Sequence, residues 1–154
     1  VENVDIAIRN LMDDMLETMY EAPGIGLAAI QIGVPKRVIV IDLASKSEKK
    51  QPMYFVNPEI VSSSENDATY EEGCLSVPNQ FAEIDRPDKC HVKFLDYNGK
   101  EQFLKAEGLL ATCIQHEMDH LEGILFIDYL SKLKKNMIVK KLSKQKKSLE
   151  RIVV

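Results

Sequence analysis

Residues 108–123 have the sequence GLLATCIQHEMDHLEG, and this stretch decides how the rest of the chain must pack. Glycine stands at each end, and the apolar residues between fall on most sides of a predicted helix over residues 109–121. A helix that is apolar on most sides is buried. Its polar residues His116, Glu117 and His120 would then be buried as well, which is costly unless they are paired or bind a metal. We therefore expect a central helix with the other elements packed around it.

Within that helix, residues 116–120 (HEMDH) match the HExxH pattern of helical metal sites. Positions i and i+4 lie on one helix face, so His116 and His120 can bind the same cation. Glu117 lies beside them, where a carboxylate can act as a general base on water. The pattern predicts a catalytic metal centre, which usually has three protein ligands and one open position.

The residue types alone leave the third ligand open. Phe126 stands where a metzincin has its third histidine, so that class is excluded. His91 is expected to face solvent on a strand, and Glu150 lies in a basic tail. Cys74 and Cys113 remain as candidates, and Cys74 is the stronger one because a small buried cysteine within a helix is more often part of the core.

Hydrophobic periodicity and turn residues predict the elements around the central helix. They are a helix over residues 5–20 with Asp5 as its N-cap, strands over 37–43 and 53–56, a hairpin of 91–97 and 100–105 around Asn98-Gly99, and a basic helix over 129–152. Polar loops are predicted over 44–52 and 62–67. This order lacks βαβ alternation, so we expect an α+β fold, with β-sheets packed around the central helix and a C-terminal helix.

The Gly24-x-Gly26-x-x-Ala29 segment also fits the dinucleotide-binding fingerprint. That motif should follow a strand and open a helix inside a βαβ unit. Here it follows a predicted helix and Pro23, so we reject a dinucleotide site.

Composition indicates a globular chain of one domain, with 154 residues, of which 45% are apolar and 29% charged. Three cysteines without a CxxC pair favour a reducing, cytoplasmic setting, and no apolar run is long enough to span a membrane. Residues 131–154 carry eight lysines, one arginine and one glutamate, a net charge of +8, whereas the rest carries −12 and the whole chain −4. A basic tail on an acidic body indicates an anionic partner or a solvated helix face.

Three stretches together resemble the peptide deformylase family. They are residues 24–31 (GIGLAAIQ), 72–76 (EGCLS) and 115–123 (QHEMDHLEG), and they match the family patterns GΦGΦAAxQ, EGCΦS and HExDHΦxG in the same order. The resemblance covers residues 1–154 and implies a single catalytic domain, with sheets around the helix that carries HExxH. Members usually begin with twenty-odd residues before the first helix, so the resemblance also implies an N-terminal segment that is absent from this sequence.

The resemblance implies a role for each motif residue. Cys74, His116 and His120 would hold the metal, Glu117 would take a proton from the attacking water, and the Gln31 side chain with the Leu75 backbone N–H would hold the oxyanion. The implied reaction is hydrolysis of the N-formyl group on the initiator methionine of new polypeptides, with release of formate. The substrate backbone would pair with residues 24–26.

The resemblance also places residues around the methionine side chain, and these are Ile25, Gly26, Leu109, Thr112 and Cys113. Glu72 and Gly73 are expected to be further substrate-binding residues. Glu72 is expected to form a buried ion pair with Arg86. Many bacterial members have a basic residue at position 81 that helps to grip the substrate, and Phe81 departs from that pattern.

One divalent metal is implied, with Fe²⁺ expected natively and Zn²⁺, Ni²⁺ or Co²⁺ as substitutes. The implied partners are N-formylmethionyl nascent peptides and the ribosome, which the basic C-terminal helix would contact, and neither membrane nor DNA binding is expected. The ribosomal contact would use lysines that could meet rRNA phosphates: Lys134, Lys135, Lys140, Lys141, Lys144, Lys146 and Lys147.

Two other functions fit parts of the sequence. A zincin-type endopeptidase would cleave internal peptide bonds and would use a third ligand other than Cys74. A non-catalytic metal-binding or ribosome-binding protein would not need Glu117 or Gln31, and the presence of both residues disfavours that class.

Overall fold

The computed structural model describes residues 1–44 and 48–153, with side chains described through residue 146. Three α-helices and seven β-strands are present in this part of the chain. The helices are α1 (Ile6–Glu21), α2 (Gly108–Leu121) and α3 (Lys132–Val153). The strands are β1 (Gly26–Ala28), β2 (Val38–Ile41), β3 (Met53–Ser63), β4 (Asp67–Cys74), β5 (Val77–Pro87), β6 (Lys89–Leu95) and β7 (Glu101–Glu107).

The strands form two antiparallel sheets on which the helices pack. The larger sheet has the order β1-β2-β3-β6-β7, and the smaller one consists of β4 and β5. Helix α2 contacts strands of both sheets, so it lies at the centre of the molecule as the sequence predicts. The predicted α+β class is confirmed.

Strand β2 shows how the sequence separates two layers of the core. Its four residues are all buried, and successive side chains of a strand point to opposite faces. Val38 and Val40 pack with α1, whereas Ile39 and Ile41 pack with α2. A run of β-branched residues therefore fits a strand that is covered on both faces.

Helix α1 begins as its sequence predicts. The Asp5 side chain accepts a hydrogen bond from the Ile8 backbone N–H at 3.0 Å, which is N-capping geometry. The helix buries its methionine stripe of Met12, Met15 and Met19 against the larger sheet. It ends at Glu21, so β1 follows a helix and pairs with an antiparallel strand, which confirms that residues 24–29 lie outside any βαβ unit.

Several predicted boundaries were wrong. Strand β3 continues to Ser63 rather than ending at residue 56, which leaves only residues 64–66 of the predicted loop 62–67. Residues 45–47 of the other predicted loop lie outside the described residues. The C-terminal helix begins at Lys132, because residues 126–129 form a separate 3₁₀ turn.

The β4–β5 hairpin was missed entirely. Acidic residues, Gly73 and Pro87 are all poor strand formers, and they conceal the alternation along these strands. The hairpin is held instead by packing on the 3₁₀ turn and α3, through buried Val77, Ile84, Phe126 and Ile127. Among the described residues, no helix is both long and apolar enough to cross a membrane.

Candidate metal centre and cavity

Two elements bring one thiol and two imidazoles together. Cys74 is the last residue of β4, and His116 and His120 lie one turn apart on α2. The Cys74 Sγ atom lies 3.2 Å from His120 Nε2, which lies 3.2 Å from His116 Nε2. One ligand atom from each residue lies within 4.8 Å of the others. This is a set of three soft and borderline donors that surround one point.

The donor chemistry fits a divalent transition metal. Burial alone would raise the pKa of the Cys74 thiol, but hydrogen bonds to His116 and His120 lower it to about 5. Burial alone would lower the pKa of His116, but its hydrogen bonds to Cys74 and Glu72 raise it to about 10. The thiolate and the two imidazole Nε2 atoms share protons through their hydrogen bonds. A divalent cation can displace those protons and bind the same three atoms.

Glu72 orients the first of these imidazoles. Its Oε1 lies 2.8 Å from His116 Nδ1, and both its oxygens accept hydrogen bonds from the Arg86 guanidinium at 2.8 and 3.0 Å. Glu72 and Arg86 are buried, so the ion pair predicted from the sequence is confirmed. Burial opposes ionisation of Glu72, but the bonds from His116 and Arg86 lower its pKa, so it stays a carboxylate and His116 Nδ1–H must donate. Because Nδ1 keeps its proton in this hydrogen bond, Nε2 is the nitrogen from which a metal can displace a proton and bind.

The hydrogen-bond network continues to the outside of α2. The Arg86 Nη1 donates to Asp119 at 2.7 Å, and Asp119 also accepts from the Tyr129 hydroxyl at 2.6 Å. Asp119 and Tyr129 had no role in the sequence-based site. A weak signal existed, because Asp119 lies between the two histidines on a helix that was expected to be buried.

Glu117 is buried against the backbone of β1. It is 5% exposed, its Oε1 lies 4.0 Å from His116 Nε2, and its Oε2 has no hydrogen-bond partner among the described residues. Burial raises the pKa of Glu117 to about 7. A Cβ added to Gly26 would lie 2.8 Å from Glu117 Oε1, so only glycine lets β1 pass this close.

The Gln31 side chain is held with its amide N–H₂ toward the thiol. Its Oε1 accepts from the Ala28 backbone N–H at 2.9 Å, which determines which end of the amide points into the site. Its Nε2 lies 3.3 Å from Cys74 Sγ and 3.0 Å from Ser76 Oγ. Ala28 and Ser76 were not predicted from the sequence, and their signal was only their place inside the quoted motifs.

A cavity of about 830 Å³ opens beside these residues. His116, Glu117 and Cys74 form part of its wall, as does Leu75, which follows Cys74 in the turn. All the residues predicted to contact substrate also line it: Ile25, Gly26, Glu72, Gly73, Leu109, Thr112 and Cys113. The structure therefore joins a candidate metal centre to a cavity large enough for a side chain and part of a peptide.

Among the described residues, neither His91 nor Cys113 belongs to the cluster. His91 is exposed on β6 as expected, and the side chain of Glu150 lies outside the described residues. Cys113 lines the cavity, where burial raises the pKa of its thiol to about 12.

Gly73 lies within strand β4 rather than in the turn that the sequence suggested. The ring of Phe81 packs so closely on Gly73 that a Cβ added there would lie 2.5 Å from Phe81 Cδ1.

Comparison with known proteins gives one family. Residues 1–136 match the family model described as polypeptide deformylase. The chain is 70% identical over 154 residues to the peptide deformylase of Pelagibacter ubique strain HTCC1062, an alignment that covers 100% of this chain and 88% of that protein.

Two crystal structures from Ehrlichia chaffeensis have the same fold. One is a peptide deformylase with a TM-score of 0.90 and 44% identity, over 96% of this chain and 88% of the other. The second, a complex with actinonin, has a TM-score of 0.88 and 47% identity, over 94% of this chain and 87% of the other.

Proposed function

The chain belongs to the polypeptide deformylase family, an enzyme family, and we propose that it hydrolyses the N-formyl group from the initiator methionine of newly made polypeptides and releases formate. The observation that carries the proposal is the Cys74–His116–His120 cluster with Glu117 and Gln31 beside it, at the wall of an apolar cavity. We take residues 1–154 as one catalytic domain that works in the cytoplasm, where its three free cysteines stay reduced.

Cys74, His116 and His120 would hold one divalent metal. When bound, the ion would supply Lewis acidity, which polarises a carbonyl oxygen and lowers the pKa of water. We propose Fe²⁺ as the native ion, with Zn²⁺, Ni²⁺ or Co²⁺ as substitutes. Metal analysis of protein purified without oxygen, paired with activity after each ion is restored, tests this assignment.

Glu117 would act as the proton carrier. Burial raises its pKa to about 7, so its carboxylate can take a proton from water near neutral pH and return it to the leaving amine. Among the described residues, no group forms a hydrogen bond with Glu117 Oε2, so this oxygen is available to accept the proton from water.

Gln31 and Leu75 would stabilise the oxyanion that forms when water adds to the formyl carbon. The Gln31 amide is fixed through Ala28, so its N–H₂ donors point to the site before substrate arrives. The Leu75 backbone N–H would be the second donor. Donors that are already oriented stabilise developing charge without a reorganisation cost, which is usually a large catalytic contribution.

The substrate backbone would extend along residues 24–26 with the methionine side chain in the cavity. Strand β1 is an edge strand of the larger sheet that pairs with β2, and its Gly26 lies against Glu117 and lines the cavity. Apolar walls from Ile25, Leu109 and Cys113, with Thr112, suit a thioether side chain.

Formate release from formyl-Met-Ala-Ser by protein loaded with Fe²⁺ under anaerobic conditions tests the reaction. We expect turnover by the wild type and its loss in Glu117→Gln, which keeps the size of the side chain, and in Cys74→Ser. Cys90→Ser is the matched thiol control, since Cys90 is buried in the core away from the cavity. No formate from folded, metal-loaded wild type would refute the proposed function.

The basic helix α3 would contact the ribosome. Lys134, Lys140, Lys141, Lys144 and Lys146 are exposed, whereas Lys135 pairs with Asp128 at 2.5 Å and the side chain of Lys147 lies outside the described residues. Ile138 and Leu142 pack on the hairpin cluster, so substitutions test this better than truncation does. Changing Lys140, Lys141 and Lys144 to Gln should reduce co-sedimentation with ribosomes, and unchanged co-sedimentation would contradict the contact.

A further inference from the structure

Strand β7 forms one edge of the larger sheet, opposite the edge formed by β1. Phe103 stands at its third position and is 71% exposed. Five of the seven residues of the strand are exposed: Glu101, Gln102, Phe103, Lys105 and Glu107. An exposed edge strand presents unpaired backbone groups to which another strand can bind.

The hydrogen bonds to β6 show which backbone groups of β7 point outward. The Asp96 N–H donates to the Lys100 carbonyl at 2.9 Å, immediately before the paired residues of β6 and β7. Hydrogen-bonded pairs alternate with non-hydrogen-bonded pairs along an antiparallel ladder. Glu101, Phe103 and Lys105 therefore turn their N–H and C=O groups away from β6, and no other backbone group of the described chain binds them.

The side chains of these three residues share the outer face of the sheet. Leu104 and Ala106 pack with the core, and side chains of a strand alternate between its two faces. Glu101 and Lys105 thus stand two positions before and two positions after Phe103, with opposite charges. Charged residues at a sheet edge usually prevent pairing with another strand, but this arrangement is complementary to a second copy of itself.

We propose that two copies of this chain associate by antiparallel pairing of their β7 strands, with a two-fold axis at Phe103. Each Phe103 would lie opposite the partner's Phe103 as a hydrogen-bonded pair, and each Glu101 would lie opposite the partner's Lys105. The outward backbone groups of one copy would meet those of the other, and the two aromatic rings would be cross-strand neighbours. This association does not depend on the proposed function.

Charge selects this register. Glu101 lies 3.1 Å from Lys93 of its own chain, whereas Lys105 has no ion-pair partner among the described residues. In the proposed dimer each Lys105 gains an acidic partner. If the axis lay at Leu104 instead, each Glu101 would lie opposite the partner's Glu107, and like charges directly opposite each other destabilise pairing.

Sedimentation velocity of the full chain over about 1 to 500 μM tests the association, since a contact through one short strand should give a weak dimer. Glu101→Lys and Lys105→Glu each place like charges at both cross-strand pairs, so each should raise the Kd about tenfold or more. An equimolar mixture of the two variants has opposite charges at both pairs and should associate as the wild type does. Glu59→Lys is the control, because Glu59 is exposed on β3, two strands from this edge.

A disulfide probe tests the register in Ni²⁺-loaded protein under mild oxidation. In Phe103→Cys the two substituted positions would have Cα atoms about 5.5 Å apart, which a disulfide can bridge. In Glu101→Cys they would lie more than about 13 Å apart, which is too far. Peptide mapping should therefore find a cross-link between the two copies in the first variant and none in the second.

Thermal unfolding shows whether each variant is folded, since all these substitutions lie on the surface outside the cavity wall. A wild type that stays monomeric at every concentration would overturn a second copy as the occupant of this edge. A Kd that is unchanged in both charge variants, the absence of any gain on mixing them, or a cross-link through Glu101→Cys would also overturn the proposal.

Discussion

Glu72 and His116 form a carboxylate–imidazole pair with 2.8 Å between Oε1 and Nδ1. Glu72→Gln removes the charge that holds the Nδ1–H tautomer and is expected to weaken metal binding about tenfold to a hundredfold. Competition with a chromophoric chelator measures this change. Glu83→Gln is the control, because Glu83 is an exposed residue of the same hairpin and lies outside the cavity wall. Equal affinities in both variants would contradict the orienting role of Glu72.

Gly26 controls the position of Glu117. A methyl group there would lie 2.8 Å from Glu117 Oε1, so Gly26→Ala must displace the carboxylate. We expect kcat to fall by about a hundredfold, since a shift near 1 Å in a catalytic group has that effect, while metal content stays the same. Gly24→Ala offers a comparison, because its added Cβ would lie 3.1 Å from Leu75 Cδ1, the end of a side chain that can move. Similar losses of kcat in the two variants would contradict the prediction.

Arg86 neutralises two carboxylates inside the protein. Its guanidinium is 4% exposed and binds Glu72 and Asp119. Arg86→Ala removes the guanidinium from the buried Glu72 and leaves His116 as its one side-chain partner, so the free energy of unfolding should fall by about 3–5 kcal/mol. The Arg37–Glu122 pair is 44% and 64% exposed, and Arg37→Ala should lower that free energy by only about 1 kcal/mol or less. Urea denaturation of both variants measures the difference, and equal losses would refute it.

The three cysteines of metal-free protein should differ in reactivity. The pKa of Cys74 is about 5, whereas burial raises that of Cys90 to about 11 and that of Cys113 to about 12. Because the thiolate is the nucleophile, alkylation of Cys74 by iodoacetamide should rise as pH passes 5 and level off below neutral pH. Peptide mapping by mass spectrometry should find Cys74 modified at pH 7 and the other two intact. Modification of Cys113 at the rate of Cys74 would show that the pKa order is wrong.

Metal binding should raise the thermal stability of the protein. A ligand that binds only the folded state at a hundred times its Kd adds about 2.7 kcal/mol, which corresponds to roughly 5–10 °C in Tm for a chain of this size. Thermal scans with and without Ni²⁺ measure the shift. Cys74→Ser should reduce it and Cys113→Ser should not, so an equal shift in both variants would argue against Cys74 as a ligand.

The sequence predicts the parts of this fold in which local signals agree with packing. Helix α1 has a capping residue and a regular apolar stripe, and α2 combines apolar periodicity with a motif, so both were predicted nearly to the residue. The β4–β5 hairpin has neither signal. Its acidic strands are stabilised by contacts with residues more than forty positions away, which a local pattern does not contain.

The candidate site follows the same rule. His116, Glu117 and His120 were found from their spacing, because a helix fixes their geometry. As the third metal ligand, Cys74 could be preferred over Cys113 from the residues alone, but Cys113 could not be excluded. The residues alone do not show which strand end lies beside α2. The roles of Asp119 and Tyr129 became clear through their contacts with Arg86, whose three partners are dispersed along the chain.

Cys74 and His120 are 46 positions apart in sequence and meet only in the folded chain. Formation of the site therefore requires complete folding. A chain that still lacks α2, or whose hairpin has not docked, presents its thiol and imidazoles to solvent as separate weak ligands. A bound ion would cross-link the two ends of this long loop. The conformational entropy cost of closing the loop is already met by folding, so the ion binds the native state without that cost. Metal would therefore bind tightly only to chains with complete tertiary structure, and partly folded chains would have no activity.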